Sequence, residues 1–298
     1  MPESIPTLAP VSRRFAAIFQ RARDQDRCAL IPYITAGDPS IDATVAIAIE
    51  LARAGADIIE LGVPFSDPVA DGPVIQAASE RALARQTRLA DVLAAAGQVR
   101  AAAPEVGLLV FSYYNPILQY GVEAFARDAA AAGCDGALVT DLIPEEAAAY
   151  RAAAQNAGLD TVFLAAPTSP DHRLRAIVAA STGFVYAVSR LGVTGARTAV
   201  APGAAELVRR LQAQMIPAAP LPVALGFGLA RAEQVREVAA FAQAAVVGTA
   251  LVDAIAHAPA GQSAVIAGNF LRSLCLGAAG ARATNGSDPA KSGEPHGS

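Results

Sequence analysis

Tryptophan is missing from this chain, and lysine, histidine and cysteine nearly so: one lysine, Lys291, three histidines, His172, His257 and His296, and three cysteines, Cys28, Cys134 and Cys275. Each shortage excludes something. A single lysine outside the patterned part of the chain removes a Schiff-base mechanism, which needs an amine inside the site. Histidines that avoid the ends of the predicted strands disfavour a metal centre built on imidazole. The cysteines are odd in number and lack both zinc spacing and a paired framework, which fits a reducing compartment. Aromatic residues make up only 5% of the chain, and 23 basic against 27 acidic residues give a net charge of −4 with no run of like charge, so nucleic acid is not an expected partner. The opening MPESIPTLAPVSRRF lacks the apolar core of a secretion signal, and the long apolar stretch from Met215 to Ala230 is broken by Pro and Gly. Neither export nor a membrane span is expected, and the chain reads as cytoplasmic. What is plentiful is apolar residues, 53% of 298, ample for a large core in one α/β domain or two small ones.

A pattern recurs along the chain: a short aliphatic run, a loop of Gly, Pro, Ser or Asp, then an Ala-rich stretch with Arg and Glu at helical spacing. The runs are Ala29–Ile34, Asp57–Gly62, Gly107–Ser112, Gly136–Thr140, Asp160–Ala165, Phe184–Val188, Pro222–Gly226 and Ala244–Gly248, eight predicted strands. Helices are predicted between them at Ile41–Ala54, Val122–Ala132, Glu145–Ala157, Asp171–Ala180, Pro202–Gln214 and Arg231–Phe241. Near-continuous apolar strands alternating with helices imply a parallel sheet covered on its outer side. Eight units point to a single (β/α)8 TIM barrel. The alternative is an open doubly wound sheet, but its glycine fingerprint is absent after the first strand, where the loop reads Thr35-Ala36-Gly37-Asp38-Pro39. Ser12–Asp26 reads as an extra amphipathic helix placed to plug the barrel's bottom. Residues 1–278 are expected to form the barrel with that helix. Residues 279–298 are too poor in apolar side chains to offset chain entropy and are expected to be a disordered, flexible tail; the formal glycosylation signal at Asn285-Gly286-Ser287 lies in it.

In such barrels chemistry is carried by the loops at the C-terminal ends of the strands. Period-two alternation in the second strand puts Ile59 and Leu61 on one face and Ile58, Glu60 and Gly62 on the other. If the first pair packs under the helices, Glu60 points into the barrel, where an acid is either a structural group satisfied by Tyr or Arg or a functional one. The same strand leads through a long loop to Asp71-Gly72-Pro73 and a helical run from Val74; Asp71 either caps that helix or folds back over the barrel mouth. Two carboxyls in unlike surroundings can hold opposite protonation roles. Glycine-containing loops follow strands six (Ser189 to Gly195), seven (Gly226-Phe227-Gly228) and eight (Gly248-Thr249, opening a short helix). The last two stand where a barrel phosphate site requires them, and the sixth is long enough to act as a lid.

ITAGDP at 34–39, ELGVPFSDPVADGP at 60–73, RLGVTGAR at 190–197 and GFG at 226–228 together resemble the tryptophan synthase alpha chain family, in the right order over roughly Phe15 to Ser273. The resemblance implies a lyase performing retro-aldol cleavage of indole-3-glycerol phosphate to indole and glyceraldehyde 3-phosphate, with no metal and no bound cofactor. It implies Glu60 as the catalytic proton shuttle and Asp71 as the group stabilising positive charge at the indole nitrogen. Tyr186 and Thr194 match positions supporting the acids and the closed lid, Gly195, Gly228 and Thr249 the phosphate cradle, and Tyr33, Ile75, Phe111, Tyr113 and Leu138 the indole pocket, or else plain barrel packing. It further implies a beta-chain partner in an α2β2 assembly, received on rim loops around Asp67, Pro68, Asn115 and Pro116, with pyridoxal phosphate only in that partner. Two departures stand out: Tyr33 where the family commonly has Phe, and Thr249 where Ser is common.

Overall fold

The computed structural model describes residues 13–188, 203–226 and 228–278. The expectations placed on Thr194, Gly195, the lid and the tail lie outside the described residues. Eight strands, β1 (Ala29–Thr35), β2 (Ile58–Gly62), β3 (Gly107–Ser112), β4 (Gly136–Val139), β5 (Asp160–Ala165), β6 (Val185–Val188), β7 (Val223–Gly226) and β8 (Ala244–Val247), pair in parallel in chain order and close between β8 and β1. All eight coincide with the predicted runs to within a residue or so at each end.

The helices are α1 (Arg13–Asp24), α2 (Ile41–Arg53), α3 (Pro73–Ala84), α4 (Leu89–Ala102), α5 (Tyr114–Tyr120), α6 (Val122–Ala131), α7 (Ala148–Ala157), α8 (Asp171–Ala180), α9 (Ala204–Gln212), α10 (Ala232–Ala239), α11 (Thr249–Ala256) and α12 (Ser263–Ala278). Three of them are not foreseen. α4 and α12 are so rich in Ala and Leu that their apolar residues form no single stripe, and helical periodicity is blurred. α5 occupies the stretch expected to be a rim loop around Asn115 and Pro116; Pro116 stands in its first turn, where a missing N–H costs nothing. α7 starts three residues later than expected, because Glu145 and Glu146 belong to a turn held by Glu146 N–H on the Ile143 carbonyl.

The alternation read in β2 holds. Ile59 and Leu61 pack in the large cluster between strands and helices, while Ile58 joins a second cluster inside the barrel with Leu109, Leu138, Val162, Phe184 and Val246. α1 closes the bottom of that inner core. Phe15 and Phe19 reach the Phe184 ring at centroid distances of 5.6 and 5.7 Å. Three glycines make room for Phe15: a Cβ on Gly107, Gly136 or Gly183 would stand 2.9–3.0 Å from its ring.

The N-terminal rim carries a device repeated four times. In each odd–even strand pair, a side chain leading into the even strand accepts the backbone N–H near the start of the odd one: Leu30 to Asp57 (2.8 Å), Leu108 to Asp135 (2.9 Å), Thr161 to the Thr182 hydroxyl (2.9 Å) and Val223 to the Gln243 amide oxygen (2.9 Å). Arg27 forks onto Asp57 at 2.6 and 2.8 Å, and Arg100 reaches Asp135 at 2.7 Å while also donating to the carbonyls of Gly133, Pro104 and Val106. Amides that the twisted barrel edge would otherwise leave unmatched are thus satisfied, and the rim is fixed.

Candidate active site

Register carries Glu60 to the upper part of the barrel: its Cα is paired with Tyr33 on β1 and Leu109 on β3. The side chain is fully buried, and neither carboxyl oxygen has a hydrogen-bond partner among the described residues. Among the described residues no Tyr or Arg satisfies it, so the structural alternative for this acid finds no support there. Burial pushes its pKa up to about 8, leaving it protonated at neutral pH.

Asp71 lies at the end of the β2 loop, directly before α3. It does not cap that helix: Gly72 holds the cap position with no side-chain bond, and Pro73 begins the helix. Instead the Asp71 carboxylate turns toward the barrel mouth and accepts the Tyr113 hydroxyl at 3.1 Å. Burial raises its pKa to about 6, with the Tyr113 bond acting in the opposite direction. Two acids with different surroundings therefore differ in protonation near neutrality.

Both line one cleft of about 440 Å³, counting its open mouth. Its wall is drawn from six of the eight strands or the loops that follow them: Tyr33, Glu60, Asp71, Gly72, Ile75, Phe111, Tyr186, Gly228, Val246, Gly248 and Thr249. One side is aromatic, with Tyr33 and Phe111 edge to face at 5.2 Å. The other is bounded by Gly228, at φ +86°, and by Gly248 and Thr249 at the N-terminus of α11, where unpaired backbone N–H groups and the helix dipole favour an anion. Tyr186 is buried, and its pKa is driven well above the ordinary value by burial and by the charges of Glu60, Tyr33 and Asp71.

The fit of Tyr33 and Tyr186 is steric as much as polar. A Cβ on Gly62 would lie 2.2 Å from the Tyr33 Oη, and one on Gly226 would lie 2.4 Å from the Tyr186 Oη. Glycine at the ends of β2 and β7 is therefore what lets each phenol lie across the neighbouring strand. The Thr35 hydroxyl donates to Tyr33 at 3.4 Å.

Two of the expected pocket residues are not among those that line the cleft. Leu138 sits deeper, fully buried in the barrel's inner core, because its place on β4 puts it below the mouth. Tyr113 reaches the end of the β2 loop, where its hydroxyl meets the Asp71 carboxylate. Gly72 and Val246 were not foreseen as lining residues; inward alternation along β8 was the available signal for Val246. Among the described residues no group of three or more His, Cys, Asp or Glu side chains is placed to hold a metal ion, and no helix is long and apolar enough to cross a membrane.

Comparison with known proteins agrees on one family. A family profile described as tryptophan synthase alpha chain matches residues 19–273. The tryptophan synthase alpha chain of Solibacter usitatus is 51% identical over 239 residues, spanning 80% of this chain and 88% of its own length. That of Methylibium petroleiphilum is 45% identical over 261 residues, 88% of this chain and 94% of the relative. Among solved structures, Mycobacterium tuberculosis tryptophan synthase superposes with a TM-score of 0.81 at 41% identity, over 90% of this chain and 99% of the matched one. On sequence, length and fold together, this chain belongs to the tryptophan synthase alpha chain family.

Proposed function

We propose that this chain is a cytoplasmic carbon–carbon lyase of tryptophan biosynthesis that cleaves indole-3-glycerol phosphate to indole and glyceraldehyde 3-phosphate. The observation that carries the reading is the shared cleft: a buried acid with no hydrogen-bond partner among the described residues and a second acid from the loop behind it stand in one cavity with the glycine-containing turns after β7 and β8. The phosphate is held at Gly228, Gly248 and Thr249, with the indole ring against Tyr33, Ile75 and Phe111.

Protonated Glu60 delivers its proton to indole C3, which makes the ring nitrogen cationic. The Asp71 carboxylate accepts that N–H and stabilises the charge. Glu60, now a carboxylate, takes the proton of the hydroxyl on the carbon attached to C3. The bond between that carbon and C3 breaks, its electron pair returns to the ring, and the carbon becomes the aldehyde. Indole and glyceraldehyde 3-phosphate leave, and Glu60 ends protonated as it began. Tyr186 keeps the throat dry around Glu60. No step requires a metal or cofactor. The reading includes a beta-chain partner in an α2β2 assembly, with pyridoxal phosphate on that partner, docking at the rim that bears Asp67, Pro68, Asn115 and Pro116; exposed Val69 and Leu118 lie on the same segments.

The test is indole release from indole-3-glycerol phosphate by the purified chain, with and without a beta chain. Glu60→Gln and Asp71→Asn are each expected to lower kcat by about 10² to 10⁴. An undiminished rate in Glu60→Gln would overturn the assignment. The pH profile of kcat/KM is expected to be bell-shaped, with the acidic limb near 6 from Asp71, which must be ionised, and the alkaline limb near 8 from Glu60, which must be protonated.

A further inference from the structure

Tyr113 was expected in the wall of the indole pocket, and its hydroxyl lies beside that pocket, on the Asp71 carboxylate. It follows β3 as the extended residue directly before α5, at φ −89° and ψ 163°, and this sends its ring across to the loop after β2. There the ring stacks on Phe65, with centroids 5.1 Å apart and planes 33° apart. The phenol oxygen accepts the Ala70 N–H at 2.9 Å, and the phenol proton goes to the Asp71 carboxylate at 3.1 Å. One buried oxygen, 42 residues away in sequence, thus grips the backbone of one loop residue and the side chain of the next. Among the described residues the Asp71 carboxylate has no other hydrogen-bond donor.

We propose that Tyr113 is a positioning residue for the reaction, acting through Asp71: it fastens the end of the β2 loop and aims the carboxylate at the site of the ring nitrogen before substrate arrives. The proposal rests on the functional reading above. Its chemistry is one-sided, since a neutral hydroxyl that donates to a carboxylate stabilises the ionised form against burial. Among the described residues the other ionisable groups facing Asp71 are Tyr33 on β1 and Tyr186 on β6, with Glu60 on β2 lining the same cleft; none is cationic, and Asp141 beyond β4 faces Tyr113 itself. Tyr113 is therefore the single described side chain favouring the charge that Asp71 needs.

Kinetics of the full chain with indole-3-glycerol phosphate from pH 5 to 9 test this with Tyr113→Phe, which keeps the ring and deletes both bonds of the hydroxyl. The expected result is a kcat lowered about tenfold, as for loss of one bond to a charged group, with KM nearly unchanged. The acidic limb moves to higher pH and the alkaline limb stays in place. Phe65→Leu, which leaves the phenol but removes its stacking partner, gives the same changes in smaller measure. A raised KM with unchanged kcat and an unmoved acidic limb in both variants would make Tyr113 a pocket wall and overturn the proposal. Asp71→Asn separates the levels of failure. If it keeps full activity, the role of Asp71 falls and that of Tyr113 with it; if it is crippled while Tyr113→Phe is not, only the role of Tyr113 falls.

Discussion

At the N-terminal rim of the barrel, Asp57, Asp135 and Asp160 are buried and each is held: Asp57 by Arg27 and a backbone amide, Asp135 by Arg100 and a backbone amide, Asp160 by the Thr182 hydroxyl at 2.7 Å. At the opposite end Glu60 is equally buried with no hydrogen-bond partner among the described residues, and Asp71 has one phenol. The same residue types are satisfied at one end and left wanting at the other. An unsatisfied buried acid costs stability and keeps its proton, so the contrast separates a part of the fold that holds shape from a part that holds chemistry. Even the held acids are not free of cost. Burial lowers the pKa of Arg100 and raises that of Asp135 in spite of their mutual attraction, so the pair fixes the rim more than it stabilises it.

The comparison breaks most visibly if an acid is removed from the lower rim. Asp135→Ala leaves the Leu108 amide without its acceptor and Arg100 without its counter-charge, and is expected to cost about 3–5 kcal/mol in denaturant unfolding while kcat of the remaining folded enzyme is unchanged. Removing the upper acid has the opposite sign. Glu60 shifts from an ordinary value of 4.5 to about 8 on folding, so the folded chain binds the extra proton between those values. Its contribution to stability is whole below pH 4.5 and is lost as pH rises through 8. Glu60→Gln, which cannot ionise, is therefore expected to unfold like the parent at pH 5 and to be more stable at pH 9 by on the order of 3 kcal/mol. The smallest effect comes from a matched pair of glycines. Gly136→Ala below meets the Asp160 carbonyl at 2.7 Å and Phe15 at 2.9 Å, while Gly62→Ala above meets Tyr33. Each is expected to cost roughly 1–3 kcal/mol by overpacking, but only Gly62→Ala is expected to raise KM, because only it displaces a residue lining the cleft.

Much of this was legible in advance. Strand alternation in Asp57–Gly62 sent Glu60 inward correctly, and the turns at Gly228 and Gly248-Thr249 fell where the cleft has them. What misled was local. Asn115 and Pro116 read as loop because a proline near two tyrosines carries no helical period, yet α5 forms there. Asp71 before Gly-Pro read equally well as a cap, and nothing nearby in sequence tells that its partner is Tyr113. The direction of the Tyr113 side chain depends on the extended backbone before α5 and on the course of a loop from another strand, so no pattern within its own segment could announce it.

Composition and periodicity alone determined that this chain makes eight strand–helix units, because a period of two followed by a period near four is written into each segment by the need to bury one face of a strand and one side of a helix. They also fixed which acids were available, since lysine and histidine were too scarce or too remote to compete. Only closure of the barrel decided what those acids do. Bringing β8 against β1 places residues more than two hundred positions apart around one cavity and strips water from Glu60, and pairing β2 with β3 sets Tyr113 against Asp71. Desolvation and hydrogen-bond geometry belong to the assembled volume, and no stretch of sequence contains them.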